Sequence, residues 1–423
     1  MVRAFQGILI EKSLERSDSW PAREAISWTL ERLAADVSDE EMVPLFEFMI
    51  QEETLGDRHT HVRRGMLDAG VSIVDRRGHA KLQELLAMFE KQLSASYSST
   101  EVTDWIREAL VILLGRLAQH LSTEDSRIPL IATRLVGALK TPSELVQYAV
   151  AECLSPLVGP LGDRTSTLVE DLLQTLTTAH KYADRRGAAY GLAGIVRGCG
   201  VIGLKEFGII AQLRSAMGDK KNPDARQGAL FAFETMSALL GRLFEPYVIE
   251  ILPILLAAYG DPTVDVRQAA QDTSKVIMTN MSGYGVKSIL PSLLGALEEK
   301  QWRTKKGSIE LLGSMAFLAP RQLSVSLPTV IPRLTGVLTD SHAQVRSAAN
   351  SSLKRFGEVI NNPEVRSLVP SLLKALVDPE KTPTALNSLL KKSFVHYIDS
   401  ASLALVSHLE NCTSGSLMQK YYS

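Results

Sequence analysis

Apolar side chains recur along most of the chain at intervals of three or four residues, and short polar turns separate the apolar segments. In the segment that contains Arg267, the apolar or small side chains are Val266, Ala269, Ala270, Thr273, Val276 and Ile277. This spacing places them on one face of an α-helix. Gly260-Asp261-Pro262 comes just before the segment and predicts a turn that ends the preceding helix. The pattern therefore predicts amphipathic helices joined by short turns.

A second apolar pattern contains a proline and occurs in four near copies. The copies are Leu252-Pro253-Ile254-Leu255-Leu256, Leu290-Pro291-Ser292-Leu293-Leu294, Ile331-Pro332-Arg333-Leu334 and Val369-Pro370-Ser371-Leu372-Leu373. A proline inside a helix removes one backbone hydrogen bond and bends the helix. The pattern predicts repeats of two helices, in which a bent first helix precedes the helix of the first pattern.

Basic residues mark the same position of the second helix in successive repeats, at intervals near 40 residues. These repeat anchors are Arg23, Arg63, Arg107, Arg185, Arg226, Arg267, Lys305 and Arg346, with Gln147 in the equivalent place between Arg107 and Arg185. A period of about 40 to 47 residues in a helical pattern is typical of HEAT or armadillo repeats. We therefore predict an all-α HEAT/armadillo-type α-solenoid, a right-handed superhelix of about ten helix pairs. It is expected to be continuous over residues 1–406, and the polar tail 407–423 to be disordered because it loses the apolar period.

Two further regularities accompany the anchors. Each anchor has Ala or Gly two residues later, which predicts a close approach to the first helix of the same repeat. Acidic residues lie six positions before four anchor positions, at Asp261, Glu299, Asp340 and Asp378. We interpret the acids as a ladder of ion pairs in which each carboxylate meets the anchor of its own or the next repeat. A row of acids that binds a ligand is the alternative.

Composition and charge narrow the classes of function. The chain has 423 residues, with 46 Lys and Arg against 47 Asp and Glu, so no overall excess of positive charge indicates nucleic-acid binding. The overall charge does not exclude a local basic patch. Its three cysteines are scattered, which argues against a disulfide framework and a cysteine-rich zinc site. No convincing signal peptide or membrane-spanning apolar run occurs. We expect a soluble, cytoplasmic protein without membrane or DNA partners.

Two short motifs resemble ligand sites but have simpler interpretations. The segment 198–203 matches the G-x-G-x-x-G dinucleotide motif, which has this meaning only after a strand. Here it follows a predicted helix, so we expect glycines of a helix end. His59 and His61 lack further ligands at metal-binding spacing and are expected to be solvated. No catalytic constellation is found, and we expect no enzyme, cofactor or metal site.

The segment 300–306 combines basic and aromatic residues and is the strongest candidate for partner binding. Doubled basic residues also recur at the anchor position, as Arg63-Arg64, Arg185-Arg186 and Lys305-Lys306, and are expected along one side of the solenoid. Such a strip could dock on ribosomal RNA or an acidic protein. Alternatively, the first residue of each pair belongs to the ladder and the second is solvated.

The segments 182–194 and 301–307 resemble the central HEAT region of the general-control translational activators, a region similar to fungal elongation factor three. This resemblance covers residues 1 to about 406. It implies a non-enzymatic scaffold that binds ribosomes and supports the kinase that phosphorylates the α subunit of initiation factor two during amino-acid starvation, in the integrated stress response. The kinase and its co-activators would bind regions outside this chain. The candidate ribosome-binding residues are Arg186, Trp302, Arg303 and Lys306.

Members of that family are several times longer, so we expect this chain to be a fragment or a variant product. The alternative function is a HEAT-repeat adaptor outside translation, such as a nuclear-transport receptor or a phosphatase scaffold subunit, because the same fold serves many functions.

Overall fold

The computed structural model describes residues 19–94 and 100–359, and all the regular secondary structure in these ranges is helical. The helices are α1 (Trp20–Arg32), α2 (Asp39–Met49), α3 (Thr60–Arg77), α4 (Leu82–Ser94), α5 (Glu101–Ala118), α6 (Ile128–Ala138), α7 (Glu144–Leu154), α8 (Val158–Leu161), α9 (Arg164–Thr178), α10 (Tyr182–Cys199), α11 (Gly203–Glu206), α12 (Ile209–Gly218), α13 (Pro223–Leu240), α14 (Glu245–Ala258), α15 (Val264–Asn280), α16 (Gly283–Gly295), α17 (Trp302–Leu318), α18 (Pro320–Gly336) and α19 (Ala343–Val359). The all-α expectation is confirmed.

The chain divides into two compact units, Met1–Gln212 and Leu213–Ser423. In the first unit, the anchor-bearing second helices α1, α3, α5, α7 and α10 pack on one another in chain order. The first helices α2, α4, α6 and α9 pack against them. Each repeat therefore buries its apolar face against its neighbours, as in other repeat proteins.

The second unit has the same construction. Its second helices α13, α15, α17 and α19 pack in succession, and its first helices α14, α16 and α18 do likewise. In α15, the predicted face is buried at Val266, Ala269, Ala270, Thr273 and Ile277. Val276 is only half buried.

The proline pattern also holds where the structure describes it. Pro253, Pro291 and Pro332 lie inside the first helices α14, α16 and α18. Pro44 occupies a first helix in the same way, although the sequence pattern did not include it. Pro370, Asp378 and the tail 407–423 lie outside the described residues, and the continuity of residues 1–406 and the handedness of the stack stay predictions.

Most anchors bind backbone carbonyl groups in the turn before their own helix. The Arg63, Arg267 and Arg346 guanidinium groups donate to the carbonyl oxygen six residues earlier at 2.6, 2.7 and 2.7 Å. Arg185 does the same at 2.9 Å, and the Gln147 amide at 2.7 Å. Carbonyl groups at the end of a helix lack partners within the helix, so this contact satisfies them and closes the turn.

The acids form a ladder, but their partners differ from the prediction. The carboxylates of Asp57, Asp261 and Asp340 bind the anchors of the preceding repeat, which are Arg23, Arg226 and Lys305, at 2.6, 2.7 and 2.7 Å. The anchor of the same repeat donates instead to the backbone carbonyl of the acid, as Arg63, Arg267 and Arg346 do. Each acid also accepts the backbone N–H two residues later at 2.8 Å. This second bond fixes the carboxylate in position.

Two predicted members do not take part. Glu299 is exposed and makes no ion pair among the residues that the structure describes. Arg107 is exposed, and its guanidinium makes no hydrogen bond within the described ranges. The other second helices begin three residues before their anchor, whereas α5 begins at Glu101, six residues before Arg107. Arg107 therefore lies one turn too far along its helix to be an anchor, and Asp104 is the equivalent position.

The small residues after the anchors allow close packing. The element that they contact belongs to the preceding repeat, as the partners of the acids do. A Cβ atom at Gly65 would collide with the Ser27 side chain, and one at Gly307 with the Tyr259 ring. At Gly187 it would collide with the Leu139 carbonyl oxygen. The prediction of contact with the first helix of the same repeat was wrong, because the tightest contact lies at the joint between repeats.

We predict that Arg226→Ala destabilises the fold more than Arg267→Ala does. Arg226 is 5% exposed and forms two bonds with the buried Asp261 carboxylate, whereas the half-buried Arg267 binds only carbonyls. Breaking a buried pair costs about 3–5 kcal/mol, and losing ordinary hydrogen bonds about 1 kcal/mol. Urea unfolding monitored by circular dichroism measures both. Equal losses would contradict the ladder as a buried interaction.

A second prediction concerns Gly187→Ala, with Gly137→Ala as the control. Alanine in place of a helical glycine normally stabilises by about 0.5–1 kcal/mol. Gly137 has open space around a Cβ, so we expect this gain. At Gly187 the collision with the Leu139 backbone should instead cost about 1–3 kcal/mol. The melting temperatures of the two variants should therefore shift in opposite directions. A higher melting temperature for both variants would be inconsistent with close packing at Gly187.

A third prediction follows from the charge of Asp340. The hydrogen bond from Lys305, helped by the His342 backbone N–H, holds the pKa of Asp340 below its usual range. A lowered pKa in the folded state adds stability that is present above the usual Asp pKa, about 4, and disappears as the pH falls below it. Asp340→Asn should therefore lower the melting temperature at pH 7, and the difference from the parent should shrink below about pH 4. A difference that does not change with pH would argue against the ion pair.

Candidate functional site

Three of the four candidate binding residues lie together at the start of α17. Trp302 is the first residue of this helix, and Arg303 and Lys306 fall within its first two turns. Arg303 is exposed, whereas Trp302 and Lys306 are half buried. We call Trp302, Arg303 and Lys306 the α17 surface.

Trp302 is held by a stacking contact with the next repeat. Its ring is parallel to that of His342, with a centroid distance of 3.8 Å and an interplanar angle of 8°. The Arg303 guanidinium carbon lies 4.6 Å from the Trp302 ring centroid, within reach of a cation–π interaction. Trp302 therefore serves first as packing between repeats, and Arg303 presents its charge beside it.

Cations outnumber acids around the adjoining cleft. This cleft has a volume of about 180 Å³ and is lined by the α17 surface together with Arg267, Glu310 and Gln344. Lys306 forms an ion pair of 3.2 Å with Glu310 on the same helix, and both side chains remain partly exposed. Exposed pairs of this kind contribute little stability, about 0–1 kcal/mol. Lys306 can therefore exchange Glu310 for an external anion at low cost.

Arg186, the fourth candidate, belongs to α10 in the other unit and is more enclosed. Its guanidinium donates to Glu144 at 2.7 Å, and its side chain is only 11% exposed. The Tyr190 hydroxyl donates to the same carboxylate oxygen at 2.6 Å. The Tyr190 hydrogen bond, followed by Arg186, lowers the pKa of Glu144 and keeps it ionised. Arg186 is therefore a member of a polar network on α7 and α10.

In the basic doublets, the first residue takes part in contacts within the fold, as the alternative interpretation predicted, but the second residue differs from that prediction. The first residues, Arg63, Arg185 and Lys305, take part in the contacts between and within repeats described above. The second residues are not merely solvated, because each pairs with an acid. Arg64 lies 3.9 Å from Asp68, and Arg186 and Lys306 bind the acids already named.

The two other motifs have structural roles. Residues 198–203 follow no strand, because α10 ends at Cys199 and Gly200 adopts a positive φ of 80° after it. His59 and His61 both stack on Trp20, with centroid distances of 5.0 and 5.2 Å. His61 nevertheless remains exposed, as expected, whereas His59 is half buried, contrary to expectation. In the described parts of the chain, no cluster of three or more potential metal ligands is found, and no helix has the length and apolar character needed to cross a membrane.

The tryptophan–histidine contact recurs and could have been found from the sequence. Trp20 and Trp302 each lie three residues before an anchor. Their partners His59 and His342 each lie four residues before the next anchor. The same phase in two repeats indicates a shared structural joint, although spacing alone does not reveal that the rings touch.

Comparisons with known proteins agree with the repeat architecture. The family model described as "Stalled ribosome sensor GCN1, HEAT repeats" matches residues 5–119. The model described as "EF3 N-terminal HEAT repeat" matches residues 185–353. The two models thus match repeats in both units, and residues 120–184 lie between the matched ranges.

Individual relatives extend this similarity over most of the chain. The human "Stalled ribosome sensor GCN1" is 46% identical over 92% of this chain and 14% of its own length. The "eIF-2-alpha kinase activator GCN1" of Saccharomyces cerevisiae is 44% identical over 95% of this chain and 15% of its own length. An "Elongation factor 3" from Gonapodya prolifera is 32% identical over 59% of this chain and 23% of its own length.

The chain thus spans about one seventh of the length of the GCN1 relatives that it matches. Its helical repeats, the two HEAT family models and an identity of 44–46% over more than nine-tenths of its residues agree with one another. The chain is a HEAT-repeat protein that is homologous to a segment of the GCN1 proteins.

Proposed function

We propose that this chain is part of a ribosome-binding scaffold that regulates translation without catalysing a reaction. The observation that carries the proposal is its identity of 46% and 44% with relatives whose names describe a stalled ribosome sensor and an eIF-2-alpha kinase activator. The matched region extends over both units of the chain. A HEAT array is suited to this task because its stacked repeats present a long surface to a large partner.

In this proposal, the scaffold acts in the cytoplasm during amino-acid starvation, in the integrated stress response. It supports activation of the kinase that phosphorylates the α subunit of initiation factor two. The kinase and its co-activators bind regions outside this chain, which corresponds to only 14–15% of the relatives' length. The contribution of this chain is contact with the ribosome.

The α17 surface is the part of the described residues that best suits contact with ribosomal RNA. Arg303 is exposed, and Lys306 is bound only to a partly exposed acid on its own helix. Arg267 adds a third cation at the edge of the same cleft. Clustered cations attract phosphate groups and release the counterions bound to them, so binding weakens as salt increases. An acidic ribosomal protein would be attracted by the same charges.

Arg186 is proposed as a second, weaker contact in the other unit. Its bond to Glu144 and its 11% exposure leave less of the guanidinium available than at Arg303. Reversal of its charge would also place two acids side by side. Arg186→Gln is therefore the appropriate variant at this position, because it removes the charge and keeps a hydrogen-bond donor.

We predict that the double variant Arg303→Glu, Lys306→Glu weakens co-sedimentation with purified ribosomes and makes it less dependent on salt. Each lost phosphate contact should lower the slope of log K against log salt by about 1. Lys220→Glu, Lys221→Glu is the control, because it changes the net charge equally at two exposed lysines outside the α17 surface. Circular dichroism should show that both variants remain folded.

The outcomes separate the parts of the proposal. If the wild-type chain and the control co-sediment with ribosomes and the α17 variant does not, both ribosome binding and the role of the α17 surface are supported. Equal co-sedimentation of all three proteins over the salt series would leave ribosome binding intact and eliminate the α17 surface. No co-sedimentation of the wild-type chain even at low salt would contradict ribosome binding by this segment and favour an adaptor outside translation. Arg186→Gln tests the second contact separately, with a smaller expected loss.

A further inference from the structure

An apolar groove runs between the second helices α3, α5 and α7 of the first unit. It has a volume of about 520 Å³, and its walls include Leu67, Trp105, Ile112, Leu145 and Tyr148. The volume and apolar character are those of protein sites that bind ligands. We call it the α3–α5–α7 groove.

The groove leaves large apolar side chains open to solvent. Leu145 and Tyr148 are 52% and 46% exposed. They lie three residues apart on one helix and therefore on the same face. Trp105 lines the same groove on α5, with the Arg63 guanidinium carbon 3.6 Å from its ring centroid. Contiguous exposed apolar surface with a polar rim is typical of a site that another protein covers.

The rim of the groove carries a distinctive pair of charges. Arg64 and Asp68 lie one turn apart on α3, are 63% and 57% exposed, and are separated by 3.9 Å. The other rim charges are engaged more closely, since Arg116 binds Asp75 at 2.6 Å and Glu108 accepts a bond from Thr141 at 2.5 Å. The least engaged charges are therefore a cation followed by an acid.

We propose that the α3–α5–α7 groove binds an amphipathic helix of another protein. The helix inserts two or three bulky apolar side chains between Trp105 and Tyr148, and it carries a carboxylate opposite Arg64 and a cation opposite Asp68. An acid and a base four residues apart on the bound helix match the spacing of Arg64 and Asp68, about 6 Å along an α-helix. Apolar side chains three or four residues apart dock in this way in other helix-in-groove complexes.

The charges of the rim favour a protein over a nucleic acid. The acids Asp68, Glu108 and Glu152 balance the three arginines that also line the groove, so it has no excess of positive charge to attract phosphate groups. The apolar walls also suit leucine, phenylalanine or methionine side chains better than a polar backbone. The proposal does not rest on ribosome binding, because the groove shares no residue with the α17 surface and lies in the other unit.

A phage-displayed library of random 16-residue peptides, selected on the purified full chain, tests the proposal. Enriched peptides should contain two or three large apolar residues at intervals of three or four, with an acid four residues before a base. A fluorescein-labelled synthetic copy should bind Leu145→Glu and Tyr148→Glu at least about tenfold more weakly than the parent, as expected for residues central to an interface. Leu243→Glu is the matched control, because Leu243 is 64% exposed in the other unit.

A charge exchange provides a readout that does not depend on removing apolar side chains. Arg64→Asp, Asp68→Arg should weaken the peptide by about threefold to tenfold, and a peptide with its acid and base exchanged should recover the lost affinity. This rescue requires a folded groove, so it distinguishes a docking contact from general loss of structure.

Three results would overturn the proposal. The first is the absence of any enriched motif. The second is enrichment of peptides that bind Leu145→Glu and Tyr148→Glu as well as they bind the parent. The third is displacement of the peptide by a single-stranded RNA 12-mer that binds the Tyr148→Glu variant more weakly than the parent. This result would assign the groove to nucleic acid.

Discussion

The described fold depends on the contacts that an anchor side chain makes with the turn before its own helix and with the next repeat. Arg226 binds the Asp219 carbonyl in its own repeat and the Asp261 carboxylate in the next, and both side chains of this ion pair are less than one-tenth exposed. Repeat proteins have few contacts between distant parts, so each joint must fix its neighbours directly. Gln147 does the same without a charge, because its amide donates to the carbonyls of Thr141 and Ala183. At these two positions one side chain binds both repeats, and Gln147 shows that a positive charge is not required for this joint.

The small residues of the repeat follow from the same joint. A donor can reach both turns only if the second helix lies close to the preceding repeat, and Gly187 and Gly307 leave no space for a Cβ atom there. The tryptophan–histidine stacks at Trp20 and Trp302 add apolar contact at equivalent joints. These residues attract attention in the sequence because they are aromatic and next to basic residues, yet their first role is packing.

The candidate binding residues differ in how strongly they are engaged within the fold. Arg303 in one unit and Arg64 in the other are exposed, whereas Arg186 is enclosed by Glu144 and Tyr190. Exposed ion pairs contribute little to stability and exchange readily for an external partner. Within each unit, the second helices thus combine buried joints with surfaces that can change partners: a basic cleft beside α17, and an apolar groove between α3, α5 and α7.

The helical repeat, the buried face of α15, the positions of most anchors and the similarity to the general-control activators could be predicted from the sequence alone, because these properties are periodic or local. The tertiary structure decided which repeat each acid and each small residue meets, since the partners lie about 35 to 48 positions apart and periodicity defines phase without distance. It also decided that Arg107 is out of register, because a helix start depends on the preceding turn. The α3–α5–α7 groove was missed for the same reason: Trp105 and Tyr148 look like ordinary core residues until the packing of three helices leaves them beside solvent.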